Sequence, residues 1–482
     1  MSLVNKLQTV LVNGIFNVVH PGHLRLLRFA KEYGSRLIVA VEGDRLAGAA
    51  AHVPENLRLE GVRSINWVDE AFISNDLAIE TINRLRPDIV VKGKEHELLF
   101  NAELAQLEKY GGRLVFSSGE ALFSSLDLIS KEFKVANFQS IFFPQEYLLR
   151  HSIDKGRLVR FVGDFSKIRV CVVGDLIVDE YISCQPLGMS QEDPTIVVTP
   201  VDKELFIGGA AIVAAHATGM GASVEFLSVT GSDDAQKFAQ KQLDAANVSS
   251  FLIVDDSRPT TLKQRFRSKG KTLLRVSHLH QDPISIYLQN KLLERVDKII
   301  GSVNLLVFSD FNYGCLPQPL VDKICILAKA NGVKLAADSQ SSSQFGDIGR
   351  FKGMDLLTPT EHEARLAMRN REDGLVVLAE KLRELSAARN VLLKLGEDGL
   401  LIHAGCKVNK WMTDRIGALN AAPQDVAGAG DSLLIVSALA LAVGADIWEA
   451  ALLGSLAAAV QVGRIGNSPL IAKDFLKKLH SS

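Results

Sequence analysis

The chain has 482 residues, of which 47% are hydrophobic and 23% are charged, and its formal net charge is −1. This length predicts two or more domains, and the near-zero charge removes a general electrostatic case for binding nucleic acid or an anionic membrane. No apolar run approaches the roughly 20 residues of a membrane span, and we find no signal peptide, so we expect a cytoplasmic protein. The five cysteines form no C-x-x-C pair, which favours buried thiols over disulfides or a zinc site.

Along the first 130 residues, short apolar runs alternate with segments whose apolar residues recur at helical spacing. Two of the helical segments end at glycine, at Gly34 and at Gly111-Gly112. Strands that alternate with helices are typical of a parallel sheet with crossover helices. The predicted strands are residues 9–12, 37–41, 88–91 and 113–116, and the predicted helices are residues 21–33, 77–85 and 102–110.

Residues 131–166 break this alternation. They are rich in phenylalanine and in charged residues, and part of the segment has a helical pattern. A flexible linker would instead be rich in glycine and serine. We therefore interpret the segment as a connector that packs against one or both of the domains it joins.

From residue 168 the α/β alternation restarts and continues to the end, which predicts a second domain with a parallel sheet. Two segments, residues 195–202 and 260–276, have exposed polar faces and fit a small sheet that projects from the main body. The predicted buried strands are residues 168–174, 224–229, 305–309, 334–337, 355–357 and 391–394, and a helix of small residues is predicted at 208–221.

The segment GIFNVVHPGH (residues 14–23) follows the first predicted strand directly. Pro21 suits the first position of a helix, which puts His20 at or near the N-cap and His23 in the first turn. Ligands of open α/β sheets bind beyond the carboxyl ends of the strands, and a helix N-terminus there favours phosphate. A bare H-x-x-H pair is more typical of a surface loop, and a metal site lacks a third ligand at suitable spacing.

The pattern G-x-F-[D/N]-x-x-H-x-G-H resembles the nucleotidylyltransferase superfamily, which has the cytidylyltransferase-like fold, over about residues 8–130. The resemblance implies that His20 and His23 are catalytic and stabilise the α-phosphoryl group during its transfer. VVKGKEHE (90–97) and FSSLDLI (123–129) are similar to later segments of the same superfamily. The implied nucleotide and phosphate contacts are Gly14, Phe16, Asn17, Gly22, Lys92, Ser124 and Ser125.

Two features of the N-terminal region depart from the family pattern. Asn17 stands where aspartate is commoner. The loop after VAVEGD (39–44) lacks the lysine that the heptose-phosphate adenylyltransferases of this superfamily carry there, so that Arg45 or Arg58 would have to substitute for it.

The segment DVAGAGDS (residues 425–432) precedes an apolar helical run. Its small residues let the backbone approach a ligand closely, and the amides of Gly428, Ala429 and Gly430 would point into one anion site at the helix N-terminus. Asp431 suits the role of a base that takes a proton from an attacking hydroxyl. The alternative is a glycine-rich turn with an aspartate N-cap.

D-x-x-G-A-G-D-x resembles the signature of ribokinase-like (PfkB) sugar kinases, and further landmarks extend the resemblance over about residues 167–480. It implies that Asp431 is the catalytic base and that Glu363 acts indirectly on Mg²⁺. The implied sugar contacts are Asp175, Asp179, Gly208, Gly209 and Asp310, and the implied nucleotide contacts are Lys394, Gly396, Gly399, Gly428, Ala429, Gly430 and Asn467. The departures from the family pattern are Ile212, Tyr313, Thr360 and Ala427.

The two halves together resemble the bifunctional heptose 7-phosphate kinase / heptose 1-phosphate adenylyltransferases, with the domain order reversed. The resemblance implies a Rossmann-like nucleotidylyltransferase domain (1–130), a connector (131–166) and a ribokinase-like α/β domain with a small β lid (167–482). It implies ATP or another nucleoside triphosphate and sugar phosphates as substrates, with Mg²⁺ as cofactor. It also implies a separate sugar bisphosphate phosphatase and a homodimer through the lid. Three alternatives stay open: one active site with a structural or regulatory remnant, a kinase or transferase for a different sugar, and a non-catalytic nucleotide sensor.

Overall fold

The computed structural model describes residues 8–17, 19, 21–93, 101–117, 141–193, 195–268, 271–340, 346–405 and 412–480. The chain forms two compact units, one comprising residues 1–138 and 369–381 and the other comprising residues 139–368 and 382–482. Across these described ranges, no helix combines the length and the apolar character that a membrane crossing requires.

The N-terminal region, residues 8–117, alternates strands and helices. The strands are β1 (Thr9–Gly14), β2 (Arg36–Glu42), β3 (Glu70–Ser74), β4 (Ile89–Lys92) and β5 (Arg113–Phe116). The helices are α1 (Pro21–Glu32), α2 (Asp44–Ala47), α3 (Glu55–Arg63), α4 (Ala78–Leu85) and α5 (Ala102–Glu108).

These five strands form one parallel sheet in the order β3-β2-β1-β4-β5. The order reverses between β1 and β4, and such a switch point is where open parallel sheets bind ligands. All four predicted strands and all three predicted helices of this region are confirmed. The edge strand β3 and the helices α2 and α3 were not predicted, because these segments are short, with nine residues or fewer.

Past residue 140 the predicted connector contains the helices α6 (Gln145–Arg150) and α7 (Lys155–Asp164). Tyr147, Leu158 and Phe165 are fully buried in the hydrophobic core of the second unit. The Tyr147 hydroxyl also donates a hydrogen bond to the backbone oxygen of Trp448 at 2.9 Å. The described part of the connector is therefore packed against a domain, as its composition predicts.

The strands of the second unit follow in chain order. They are β6 (Arg169–Gly174), β7 (Leu176–Met189), β8 (Ile196–Gly209), β9 (Ser223–Thr230), β10 (Ser249–Val254), β11 (Thr261–Ser268), β12 (Lys271–His278), β13 (Leu305–Asp310), β14 (Lys334–Ser339), β15 (Leu356–Leu357), β16 (Asn390–Lys394), β17 (Leu400–Ala404) and β18 (Met412–Ile416).

Nine α-helices follow α7 in the part of the chain that the structure describes. They are α8 (Ala210–Gly219), α9 (Asp234–Ala245), α10 (Ile286–Ile299), α11 (Gln318–Ala330), α12 (Glu361–Met368), α13 (Leu375–Ser386), α14 (Ala429–Ala442), α15 (Ile447–Val462) and α16 (Ala472–His480).

Nine strands form the main sheet, in the order β10-β9-β6-β13-β14-β15-β16-β17-β18. The pairings up to β16 are parallel, and β17 and β18 are added antiparallel. The predicted strands of this sheet are all present. The small-residue helices α8 and α14 lie in the core, where Ile212 is fully buried. The isoleucine that departs from the family pattern therefore has a packing role.

A separate four-stranded sheet, the lid, has the order β12-β11-β7-β8. It contains both segments that were predicted to project from the main body. It also contains β7, which was not predicted as a lid strand: the chain leaves β6 at Gly174, passes through Asp175 and enters the lid at Leu176. The segment GDLIVDEY thus spans two sheets, and Asp175 and Asp179 belong to different parts of the fold.

Candidate functional site

Gly428 and Gly430 shape the turn that opens helix α14. Gly428 is the N-cap residue and has a left-handed φ of 74°. A Cβ there would lie 2.3 Å from the side-chain oxygen of Asn467, and a Cβ on Gly430 would lie 3.2 Å from Nζ of Lys394. Gly428 is therefore required by its left-handed φ and by the approach of Asn467, whereas a side chain on Gly430 would require Lys394 to shift by a few tenths of an ångström.

Asp431 lies in the first turn of helix α14 and is buried. Burial raises the pKa of its carboxyl to about 7, assisted by the negative charges of Asp338 and Asp179 and opposed by the cations Lys394 and Lys263. A carboxyl that titrates near neutral pH is matched to accepting and releasing a proton. The helix N-terminus adds N–H groups that have no intrahelical acceptor.

Lys394, at the end of β16, donates to both oxygens of Asp338, at the end of β14, at 3.0 and 2.8 Å. Burial raises the pKa of Asp338 to about 6 although the lysine opposes the rise. Burial of the ammonium group lowers the pKa of Lys394, but the hydrogen bonds to Asp338 and the charges of Asp338, Glu363 and Asp431 together outweigh this effect, so the pKa is raised. Asp338 was not predicted; its only sequence signal is its position at the end of a buried strand.

Asp425, the first residue of DVAGAGDS, joins three segments. Its Oδ2 accepts hydrogen bonds from the Tyr181 hydroxyl at 2.8 Å and from the Gly466 amide at 3.2 Å. Its Oδ1 accepts from the Ala427 amide at 3.2 Å, and the Arg267 guanidinium lies 3.6 Å away. The lid strands β7 and β11 are thus tied to the turn, a role of Asp425 that the sequence did not reveal.

Asp179, a predicted sugar ligand, lies on lid strand β7 and is buried. Nη2 of Arg265 donates to its Oδ1 at 3.0 Å, and the Asn467 amide donates to its Oδ2 at 3.4 Å. A Cβ on Gly208 would come within 2.4 Å of the same carboxylate. The structure therefore brings Asp179, Gly208 and Asn467 together beside the turn that carries Asp431.

Asp175, also a predicted sugar ligand, accepts hydrogen bonds from the backbone of the loop after β13. Its oxygens accept hydrogen bonds from the amides of Phe311 at 2.8 Å, Tyr313 at 3.3 Å and Cys315 at 3.2 Å. Burial and the neighbouring Asp310 raise its pKa to about 6. Three amide donors give Asp175 a structural role, and its contact with sugar stays a prediction.

Asp310 ends β13 and lines a cavity of about 380 Å³ together with Asn312, Gln318 and Arg350. Its Oδ2 accepts from the Ser339 hydroxyl at 2.7 Å and from Arg350 at 2.8 Å. Asp310 thus lies on the strand next to Asp338, because Ser339 is its register partner on β14.

Thr360 and Glu363 form a capping box at the start of helix α12. The Thr360 amide donates to Oε2 of Glu363 at 2.7 Å, and the Glu363 amide donates to the Thr360 hydroxyl at 3.2 Å. Threonine can therefore replace the asparagine of the family pattern without loss of the helix start. One oxygen of Glu363 remains for other contacts.

On the predicted nucleotide side, Gly396 and Gly399 flank the turn between β16 and β17, with φ of 63° and 91°. A Cβ on Gly399 would lie 2.1 Å from the backbone oxygen of Ile416. Gly399 is therefore needed for close packing of the turn against β18, while the space beside Gly396 is open.

At the first predicted site, helix α1 begins at Pro21 as predicted. Phe16 has a left-handed φ of 55°, and its ring lies 4.9 Å from the His23 ring. A Cβ on Gly14 would lie 3.1 Å from the Phe16 ring. The structure thus brings Gly14, Phe16 and His23 together beyond the end of the central strand β1.

Asn17 and Lys92, two other predicted contacts of the first site, have partners within the protein, and their contact with nucleotide stays a prediction. The side-chain amide of Asn17 donates through Nδ2 to the backbone oxygen of Ala50 and accepts at Oδ1 from the backbone N–H of His52, both at 2.7 Å. Asn17 therefore holds the loop of residues 50–52. Lys92 pairs with Glu103 at 2.9 Å. His20, Ser124 and Ser125 lie outside the described residues, and Gly22 is described only as part of helix α1.

Arg58, one proposed substitute for the missing loop lysine, is buried and fully engaged. It donates to the backbone oxygens of Val53, Ile15 and Glu42 and to the Asp44 carboxylate, at 2.6–2.7 Å. Arg45 is exposed. Of the two, only Arg45 has a side chain that is free to reach a ligand.

A parallel α/β sheet with a separate β lid, and a buried aspartate at a glycine-framed helix start, define the class of ribokinase-like sugar kinases. Residues 167–473 match the family model of pfkB family carbohydrate kinases, so the chain belongs to this family. Residues 11–111 match the cytidylyltransferase-like model. The predicted order of the two domains is thereby confirmed.

Solved structures support the fold of the second unit. A ribokinase of Arabidopsis thaliana complexed with ribose and ATP is 20% identical to this chain, with a TM-score of 0.52. The match covers 65% of this chain and 99% of the ribokinase chain. Phosphofructokinase-2 of Escherichia coli is 16% identical to this chain, with a TM-score of 0.53. The match covers 65% of this chain and 98% of the phosphofructokinase chain.

Curated relatives carry the name "Bifunctional protein HldE". The protein of Helicobacter hepaticus is 29% identical over 319 residues, 65% of this chain and 64% of that protein. The proteins of Campylobacter jejuni subsp. doylei and Bradyrhizobium diazoefficiens are 31% and 30% identical, over 62% and 64% of this chain and 62% of each relative. The match therefore spans less than two thirds of each relative's length.

Proposed function

We propose that the chain is a bifunctional enzyme of nucleotide-sugar synthesis, with an ATP-dependent sugar kinase in residues 167–482 and a nucleotidylyltransferase in residues 1–130. The observation that carries the kinase proposal is the buried Asp431 at the start of helix α14, whose pKa lies near 7. The match to the pfkB family model supports it.

In the kinase reaction, the acceptor hydroxyl of the sugar attacks the γ-phosphorus of ATP, and Asp431 takes the hydroxyl proton. The bond from the γ-phosphorus to ADP breaks as the bond to the sugar oxygen forms. The N–H groups of the first turn of α14, with Gly428, Ala429 and Gly430, stabilise the charge on the moving phosphoryl group. Lys394 limits the repulsion among Asp338, Asp431 and the incoming phosphates.

Mg²⁺ is the expected cofactor, and the donor set fits an ion held mainly by substrate. Among the described residues, no group of three His, Cys, Asp or Glu side chains could hold a metal by itself. Mg²⁺ usually keeps several waters and binds one or two carboxylates plus substrate phosphates. Glu363 has one oxygen outside its capping box and would act on the ion indirectly. When bound, the ion would neutralise part of the negative charge on the substrate phosphates.

For the first site we propose that the phosphate of a sugar 1-phosphate attacks the α-phosphorus of a nucleoside triphosphate, and that pyrophosphate leaves. His20 and His23 would donate to the phosphoryl oxygens as charge develops. The match of residues 11–111 to the cytidylyltransferase-like model and the contact of His23 with Phe16 support this assignment.

We further propose a heptose 7-phosphate-like acceptor and an ADP-heptose-like product, with a separate phosphatase acting between the two steps. The resemblance of the sequence motifs to the heptose enzymes motivates this choice, and the curated relatives named "Bifunctional protein HldE" support two activities on one chain. A homodimer through the lid is also proposed. Exposed apolar side chains on the lid strands support it: Leu187, Met189, Ile196, Val201 and Leu274.

Mass spectrometry of the products tests the proposed function. The chain is incubated with heptose 7-phosphate and ATP, and separately with heptose 1-phosphate and ATP, CTP or GTP. We expect a heptose bisphosphate from the first mixture and a nucleotide-heptose with pyrophosphate from one of the others. A product in only one reaction would support a single active site with a remnant domain. Tight ATP binding without any product would support the nucleotide sensor.

A further inference from the structure

Lid strand β11 presents a row of three cations to the kinase site. Lys263, Arg265 and Arg267 are spaced by two residues, so their side chains lie on one face of the strand. Arg265 contacts Asp179 at 3.0 Å, and Arg267 lies 3.6 Å from Asp425. Because both carboxylates border the turn that carries Asp431, this face of β11 is turned toward the site.

Lys263 is held by aromatic rings. Its Nζ lies 5.0 Å from the ring centroids of both Phe311 and Tyr313, which are buried in the loop after β13. Such cation–π contacts stabilise an ammonium group and leave its N–H donors available. Lys263 is half-buried, and its register partner on β7 is Asp179.

Four other cations around the site are each paired with a carboxylate. These pairs are Lys394–Asp338, Arg265–Asp179, Arg267–Asp425 and Arg350–Asp310. Lys263 makes no hydrogen bond or ion pair with any residue in the described part of the chain. A site this rich in carboxylates repels an anionic substrate unless an uncompensated cation faces it.

We propose that Lys263 binds the phosphate group of a phosphorylated sugar acceptor and so makes the kinase selective for sugar phosphates. This inference rests on the proposed kinase function. Asp431 lies on helix α14 of the main body and Lys263 on lid strand β11, so a sugar bound between them would present its reacting hydroxyl to Asp431 and its phosphate to Lys263. A lysine ammonium is a compact charge with three rotatable donors, suited to a phosphate group.

Steady-state kinetics with two acceptors test this assignment. Wild type, K263M, K263R and K271M are each assayed with ATP and either heptose 7-phosphate or the unphosphorylated heptose. Lys271 is an exposed lid lysine and serves as the matched control. Binding of heptose 7-phosphate to each protein is measured in parallel by calorimetry, which does not depend on turnover.

We expect K263M to raise KM for heptose 7-phosphate about 10- to 100-fold, the effect of one charge-assisted contact, with a small change in kcat. KM for the unphosphorylated heptose should not change, K263R should recover part of the loss, and K271M should match wild type. If K263M raised KM equally for both acceptors, Lys263 would act through the packing of Phe311 and Tyr313 or through the pKa of Asp431. That result would overturn the proposal.

The calorimetry separates the two proposals. If wild type binds heptose 7-phosphate but does not phosphorylate it, the proposed kinase function fails. If K263M then binds heptose 7-phosphate at least ten-fold more weakly than wild type does, the assignment of Lys263 still holds. Unchanged binding in K263M, or no binding by wild type, would overturn the assignment.

Discussion

Lys394 donates to both carboxylate oxygens of Asp338, at 3.0 and 2.8 Å, and both side chains are largely buried. The lysine Nζ also lies so close to Gly430 that a Cβ there would approach to 3.2 Å. This pair therefore joins the ends of two strands of the main sheet to the helix turn that carries Asp431. Its cation offsets part of the negative charge that converges on that turn.

K394M should destabilise the second unit by about 3–5 kcal/mol, since it leaves a buried carboxylate without its partner. Denaturant-induced unfolding measures the loss. The double variant D338N/K394M, which removes both charges, should recover most of it. If K394M unfolds at the same denaturant concentration as wild type, the pair does not stabilise the fold.

The kinase reaction should depend on an ionised Asp431. Burial raises the pKa of this carboxyl to about 7, so kcat/KM should rise with pH up to about 7 and level off above it. Below that point, protonation of the base should lower the rate by about ten-fold per pH unit. Initial rates between about pH 5.5 and 9 test this, and an acid limb near the ordinary carboxyl pKa would contradict it.

D431N should stop phosphoryl transfer and stabilise the protein. The folded pKa of Asp431 lies above its unfolded value, so its ionisation costs stability as pH rises from the unfolded pKa to about 7. We expect the unfolding midpoint of D431N to rise by about 2 °C or more at about pH 8, and by less at about pH 5. The control D202N changes an exposed aspartate and should have no effect. A lower midpoint for D431N at both pH values would refute the argument.

Arg58 and Arg45 should behave differently when each is replaced by methionine. R58M leaves three backbone oxygens, those of Val53, Ile15 and Glu42, without their donor and should cost at least about 2 kcal/mol. R45M changes an exposed side chain and should stay within about 0.5 kcal/mol. Thermal unfolding of both variants checks the difference, and equal midpoints would contradict the structural role of Arg58.

The sequence predicted the parts of the fold that local rules determine. Helix α1 begins at Pro21 because proline suits the first helical position. Gly428 and Gly430 were predicted because glycine lets the backbone approach a ligand closely, and the structure adds that they face Asn467 and Lys394. The domain order followed from two motifs that lie far apart in the chain, GIFNVVHPGH and DVAGAGDS.

The contacts that complete the site depend on segments distant in sequence and were not predicted. Asp338 meets Lys394 across 56 residues, and Tyr181 meets Asp425 across 244 residues. Asp179 could be identified from its motif, but its position in the lid could not, because the chain changes sheets at Asp175 without a turn signal.

The central claim, two independent active sites on one chain, is tested most directly by assaying both half-reactions in D431N and in H20N/H23N. The account predicts that D431N loses ATP-dependent phosphorylation of heptose 7-phosphate and retains nucleotidylyl transfer to heptose 1-phosphate, and that H20N/H23N shows the reverse. If either variant, folded as judged by thermal unfolding, matched wild type in the half-reaction assigned to its altered residues, the claim would be contradicted.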